Sequence, residues 1–254
     1  MRIAALLFPL FLAACASAPP ATAPVRTPAT AEPEATLTRY HWRLQQATDA
    51  SGAPIVDLFA RPAQPLQLDF MDGRVSISNA CNRIGGPYTL SGGRLRTGQL
   101  VSTKMACADP AVSALDAAIG RRLDDTMVSM ERQTAAPVLT LMTRNGDVLR
   151  FVGDATAAVR YGGPGDEMFL EVAPEPVPCA DGVPACLSVR EVHYDPQGLP
   201  TGAPGAWQYL PPAAIEGYVH QRGVRNVLRV IRYRNPGHPD TYLLDMVVEA
   251  AMRP

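Results

Sequence analysis

No block of like charge occurs anywhere in the 254 residues, and the formal net charge is −1. That balance supplies no electrostatic ground for a nucleic-acid partner. A bilayer-crossing helix needs roughly 20 apolar residues; the apolar run Ile3 to Ala13 is shorter and is interrupted by Pro9. There is no CxxC pair, and His41, His193, His220 and His238 are scattered, which argues against zinc or another metal cofactor. The chain also lacks a GxSxG elbow, an HExxH helix and a P-loop. Tyr161-Gly162-Gly163-Pro164-Gly165 is glycine-rich, yet it has neither the lysine nor the following helix of a phosphate cradle. No internal repeat is visible. The expectation is a protein that is not an enzyme and carries no cofactor.

What is present begins at the N-terminus. Arg2 gives a positive start, an apolar run follows, and the small residues Ala13-Ala14 stand before Cys15. This is the layout of a secretory signal, and Leu12-Ala13-Ala14-Cys15 resembles the lipobox of bacterial lipoproteins. The resemblance implies a signal peptide over 1–14 and acyl chains such as palmitate on Cys15. The partner is then the membrane itself, reached through an N-terminal lipid. Ala16 is not the aspartate associated with inner-membrane retention, so an outer-membrane lipoprotein facing the periplasm is implied. Residues 17–38 read SAPPATAPVRTPATAEPEATLT, and 15–38 is expected to be a disordered, solvated tether.

With Cys15 lipidated, Cys81, Cys107, Cys179 and Cys186 remain. An even number in an exported chain suggests disulfides, with three possible connectivities. Cys81–Cys107 and Cys179–Cys186 are favoured because each pair falls within one apparent domain.

Hydrophobic residues make up 47% of the chain, enough for a packed core. Leu66, Leu68 and Phe70 alternate with polar neighbours, and Asp72-Gly73 is a hairpin signal leading into Val75 and Ile77. One helix is prominent. Asp109 caps it, Pro110 suits its first position, and Val112, Leu115, Ile119 and Leu123 form its apolar stripe. Met127–Arg132, Val138–Met142 and Val148–Val152 read as strands, the last two joined at Asn145-Gly146. The boundary is set at Tyr161 to Asp166, where glycine and proline should let few contacts cross. Beyond it, Phe169–Val172, Leu187–Val192, Val224–Tyr233 and Tyr242–Val248 read as strands. Pro196–Pro212, with five prolines, reads as an irregular loop. The fold class is mainly β with one prominent helix (α+β), in two small β-rich domains over 39–160 and 166–254.

Two further sets of motifs carry family likenesses. Trp42, the block Cys81-Asn82-Arg83-Ile84-Gly85-Gly86-Pro87-Tyr88, Ser102-Thr103-Lys104-Met105-Ala106-Cys107, the helix and a closing hairpin occur in that order. Together they resemble the META domain of bacterial heat-shock lipoproteins and envelope proteins. Ala80 stands where glycine often precedes the cysteine, and Lys104 where arginine is common. The resemblance implies a role in envelope maintenance or stress tolerance and supplies no catalytic residue. Asn82 and Gly85-Gly86 suit turn conformations, including positive φ. The alternative is a ligand-reading cluster of Asn82, Arg83, Thr103 and Lys104, able to bind an anion or peptide.

Cys179, Cys186-Leu187-Ser188-Val189-Arg190-Glu191 and Ile215-Glu216-Gly217-Tyr218 resemble an uncharacterised domain often joined C-terminally to META domains. Arg190 and Glu191 are adjacent on a strand and must face opposite ways, so one of them can enter a partly buried polar network. Glu216 is a candidate functional carboxylate. Two rival functions stay open: a module binding a peptide, glycan or envelope protein, which includes inhibition of an envelope enzyme, and a hydrolase with an inter-domain site.

Overall fold

Alternation of apolar and polar residues builds the first half of the molecule. In the computed structural model, residues 31–131, 136–179, 185–234 and 237–252 are described. A short helix α1 (Ala31–Leu37) leads into β1 (Tyr40–Thr48), β2 (Gln67–Met71), β3 (Arg74–Ser78), β4 (Ile84–Ser91), β5 (Arg94–Thr97) and β6 (Val101–Ser102). Helix α2 (Pro110–Leu123) follows, and β7 (Thr126–Glu131), β8 (Val138–Met142) and β9 (Val148–Ala155) complete the unit. The strand order is β3-β2-β1-β9-β8-β7-β5-β4-β6, and β3 pairs again with β4. Eight strands therefore close into a barrel, which removes the free edges of an open sheet, and β6 hangs outside on β4.

Leu66, Leu68, Phe70, Val75 and Ile77 all point inward and are buried, as their alternation requires. The β2–β3 turn is made by Asp72 at φ 49° and Gly73 at φ 69°, the paired positive φ values of a type I′ hairpin. Asp109 Oδ1 accepts a 2.8 Å bond from Ala111 N at the start of α2. The buried face of α2 is Leu115, Ala118, Ile119 and Leu123, all part of the barrel core. Val112 lies at the margin, only half-buried.

Several expectations need correction. Helix α1 lies within the stretch expected to be tether: Leu37 is buried in the core, and its carbonyl accepts a 2.9 Å bond from Trp42 Nε1. Gly85 and Gly86 are not turn residues with positive φ but belong to β4. They are small because chain passes close by. A Cβ at Gly86 would sit 2.7 Å from Gln99 O, and one at Gly85 would sit 3.2 Å from Val75 O. The connector at 161–165 is also packed rather than bare. Tyr161 stacks on Tyr233 with ring centroids 4.6 Å apart, and a Cβ at Gly165 would collide with Ile231 Cγ2 at 2.5 Å.

Past a single helical turn, α3 (Ala157–Arg160), a second sheet forms from β10 (Asp166–Val172), β11 (Leu187–Tyr194), β12 (Pro200–Thr201), β13 (Gln208–Leu210), β14 (Ile215–Glu216), β15 (Val224–Tyr233) and β16 (Thr241–Met252). Its order is β12-β11-β10-β15-β16-β14, with β13 also on β11. One face carries a separate core around Met168, Leu170, Val172, Leu187, Val189, Leu228 and Val230. The stretch 196–212 is thus not wholly irregular, since β12 and β13 both pair with β11. Cys81 and Cys107 are bonded with Cα atoms 5.9 Å apart, and Cys179 and Cys186 with Cα atoms 5.2 Å apart, in the favoured pairing. Cys15, the signal peptide and residues 15–30 of the tether fall outside the described residues, as does Arg132 at the end of one expected strand.

Candidate functional site

Asn82, Arg83, Thr103 and Lys104 do come together, but they divide into two kinds. Asn82 Oδ1 accepts from Met105 N at 2.6 Å and from Thr103 Oγ1 at 2.8 Å. Asn82 Nδ2 donates to Asp116 Oδ2 on α2 at 2.8 Å, and Asn82 N donates to Asp116 Oδ1 at 3.1 Å. Thr103 Oγ1 also accepts from Arg83 N at 3.2 Å. Asn82 and Thr103 therefore clamp the chain before Cys107 against β4 and α2, in parallel with the disulfide. Their polar atoms are occupied, so neither is free to read a ligand. Asp116 was not foreseen, because only the tertiary fold brings that helix residue to Asn82.

Arg83 and Lys104 are exposed, and neither makes an ion pair among the described residues. Arg83 stands at the rim of a groove of about 520 Å³ on the outer wall of the barrel. Met71 of β2, Arg74 and Ser76 of β3, Gly85 of β4 and Val101 of β6 also line it. Gly85 leaves the floor open, and Met71 and Val101 are 69% and 60% exposed. At the groove margin His41 Nδ1 lies 2.5 Å from Asp69 Oδ1, and Gln67 Nε2 donates to the same carboxylate. The hydrogen bond to Asp69 is the main cause that holds the His41 pKa above its usual 6.5. Burial pushes the Asp69 carboxyl up, but the bonds from His41 and Gln67 outweigh it and hold it low. This groove is lined by two guanidinium groups, Arg74 and Arg83, and two carboxylates, Asp69 and Asp72, beside exposed apolar side chains.

The second sheet carries a transverse ladder of charge. Arg190 Nε donates to Glu171 Oε2 and Arg225 Nε donates to Glu171 Oε1, each at 2.6 Å. Arg225 then reaches Glu249 at 2.9 Å. Glu171 is buried, which pushes its carboxyl up, yet the two arginine hydrogen bonds outweigh burial and its pKa lies below the usual value. Arg190 lies over the Trp207 ring, 4.5 Å from the centroid. The polar network expected of Arg190 or Glu191 thus forms through Arg190. Glu216 accepts hydrogen bonds from Tyr161 Oη and Arg160, so it ties the connector to the second sheet. Among the described residues, no three of His, Cys, Asp and Glu gather at metal-binding distance.

No curated protein matches the chain. Two solved structures are similar in sequence. One is an NMR structure of a protein from Burkholderia xenovorans, 26% identical, covering 59% of this chain and all of that one with a TM-score of 0.41. The other is an NMR structure of a protein 28% identical, covering 46% of this chain and 92% of that one with a TM-score of 0.34. The family model of the META domain matches residues 35–156, a span that includes β1, the Cys81–Cys107 bridge, α2 and β9. Residues 35–156 of this chain are a META domain.

Proposed function

We propose that this protein is a non-enzymatic lipoprotein of the cell envelope, anchored through Cys15 to the outer membrane and facing the periplasm, where it serves envelope maintenance or stress tolerance. The META match is the observation that carries this reading, because it ties the barrel to an envelope-associated, stress-related family. The two internal disulfides support an exported chain. We read the sheets as two domains, each with its own core cluster. The second is the uncharacterised kind that accompanies META domains.

A binding role is the second reading, and the outer groove favours it. Arg74 and Arg83, together with Asp69 and Asp72, stand beside the exposed Met71 and Val101 on its wall. A partly apolar peptide of an envelope protein carrying charges of both signs fits that chemistry. A photo-crosslinker placed at Val101 in intact envelopes tests it. A discrete adduct that disappears with Arg83→Glu supports the groove. An adduct indifferent to Arg83→Glu, or none, contradicts it.

A further inference from the structure

One end of the barrel's outer wall sets arginine and methionine in a single row. Arg94 of β5 pairs with Met127 of β7, and Met127 pairs with Met142 of β8. Directly paired residues share a face of the sheet. Their chain neighbours Leu95, Thr126 and Leu141 are fully buried, so all three members of the row point outward. Met127 and Met142 are 43% and 48% exposed, two unbranched apolar chains side by side next to a guanidinium. Asp125 then gathers two more arginines. It is buried, and Arg94 Nη1, Arg96 Nε and Arg144 Nε all lie against its carboxylate. One carboxylate cannot balance three guanidinium groups. Asp124, the acid beside it, is engaged by Thr97 N at 3.1 Å, and Asp147 is matched by Arg122 at 2.8 Å. The cluster therefore keeps a positive surplus. The Arg96 and Arg144 side chains are 66% and 71% exposed, and each uses only its Nε on Asp125. Their terminal nitrogens have no other partner among the described residues. Because both arginines are tied to one carboxylate, a single phosphate can reach the two together.

Arginine beside exposed apolar side chains is a combination that holds a protein on an anionic bilayer. The guanidinium binds lipid phosphate, and the apolar chain enters the boundary between headgroups and acyl chains. The outer wall of a barrel is convex, so it meets a plane rather than enclosing a peptide. The whole chain carries a formal charge of −1, so attraction to an anionic surface has to be local. We propose that this end of the barrel docks on an anionic phospholipid surface, with Met127 and Met142 inserted at the acyl boundary and Arg94, Arg96 and Arg144 on the phosphates. The contact is made by the folded barrel itself and does not rest on the Cys15 anchor.

Vesicle sedimentation of the chain from residue 15 carrying Cys15→Ser tests this without any acylation, so its outcome is independent of the anchor. Vesicles of phosphatidylcholine mixed with phosphatidylglycerol should bind the chain, and vesicles of phosphatidylcholine alone should bind it several-fold more weakly. Each arginine at such a surface is worth about five-fold in binding, so Arg96→Gln with Arg144→Gln should cost about 25-fold on the mixed vesicles. Met127→Ser with Met142→Ser changes only exposed side chains, so the fold stays intact while binding falls several-fold. The fluorescence of Met142→Trp should be quenched by lipids brominated on their acyl chains beyond the quenching of the parent chain. No binding to either vesicle, equal binding to both, or full binding by either double variant overturns the proposal. So does Met142→Trp without added quenching. Displacement by inorganic phosphate at constant ionic strength also overturns it, since the cluster would then be a site for the free ion.

Discussion

At the scale of single residues, the conspicuous polar side chains turn out to hold the fold. Asn82 spends its carbonyl and amide on Met105, Thr103 and Asp116. Asn82→Ala should therefore lower stability by about 1 to 3 kcal/mol, since it strands partners that have lost their bonds. Lys104→Ala, at an exposed site, should stay within about 0.5 kcal/mol. Urea unfolding of the two variants separates them, and equal losses would contradict the clamp. Glu171 offers a pH test. Its folded pKa is depressed, so its contribution is present above the unfolded value of about 4.3 and is lost as pH falls through the folded value. His41 runs the other way. Its raised pKa means the His41–Asp69 contribution is complete below about 6.5 and fades as pH rises through the folded value. Glu171→Gln should flatten the acid limb of a stability–pH curve and His41→Gln the limb above pH 6.5. Wild-type slopes in both variants would refute these assignments.

At the scale of elements, much was legible because local chemistry and fold agree. Leu66, Leu68 and Phe70 could face the core only as a strand, Asp72-Gly73 only as a tight hairpin, and Asp109-Pro110 only as a helix start. The disulfide pairing was legible because each loop closes within one unit. What stayed hidden depends on distant chain. β12 and β13 have two and three residues and exist because β11 supplies their register. Glu171 finds its partners 19 and 54 residues away, and nothing beside it in the sequence announces them. Gly85 and Gly86 looked like turn glycines, whereas close packing against Val75 and Gln99 is what demands them. Gly153 is similar: a Cβ there meets Pro137 at 2.9 Å and Trp42 at 3.1 Å. Gly153→Ala should cost about 1 to 3 kcal/mol by overpacking against the barrel tryptophan, read as a lowered urea midpoint. An unchanged midpoint would show that Trp42 has room to shift. Cys81→Ser should cost about 3 to 4 kcal/mol and Cys179→Ser about 2.5, because the first bridge spans 26 residues and the second 7. Equal losses in denaturant unfolding would count against a loop-entropy origin.

At the scale of the whole molecule, a closed barrel and an open sheet follow one another in a single chain, each with a buried core. The META match covers the barrel and stops at residue 156, just before α3. The connector beyond it is fastened to the second sheet through Tyr161, Tyr233 and Glu216. The candidate groove and the proposed docking face both lie on the outer wall of the barrel, which suits a protein that holds other molecules. The proposed function needs the protein to be held at the envelope, so the proposed Cys15 anchor is its central claim. Intact mass of the protein purified from native envelopes tests that anchor most directly. A lipoprotein must yield a chain beginning at Cys15 and heavier by a diacylglyceryl group and an amide-linked fatty acid. An unmodified chain, or one beginning at any other residue, would contradict it.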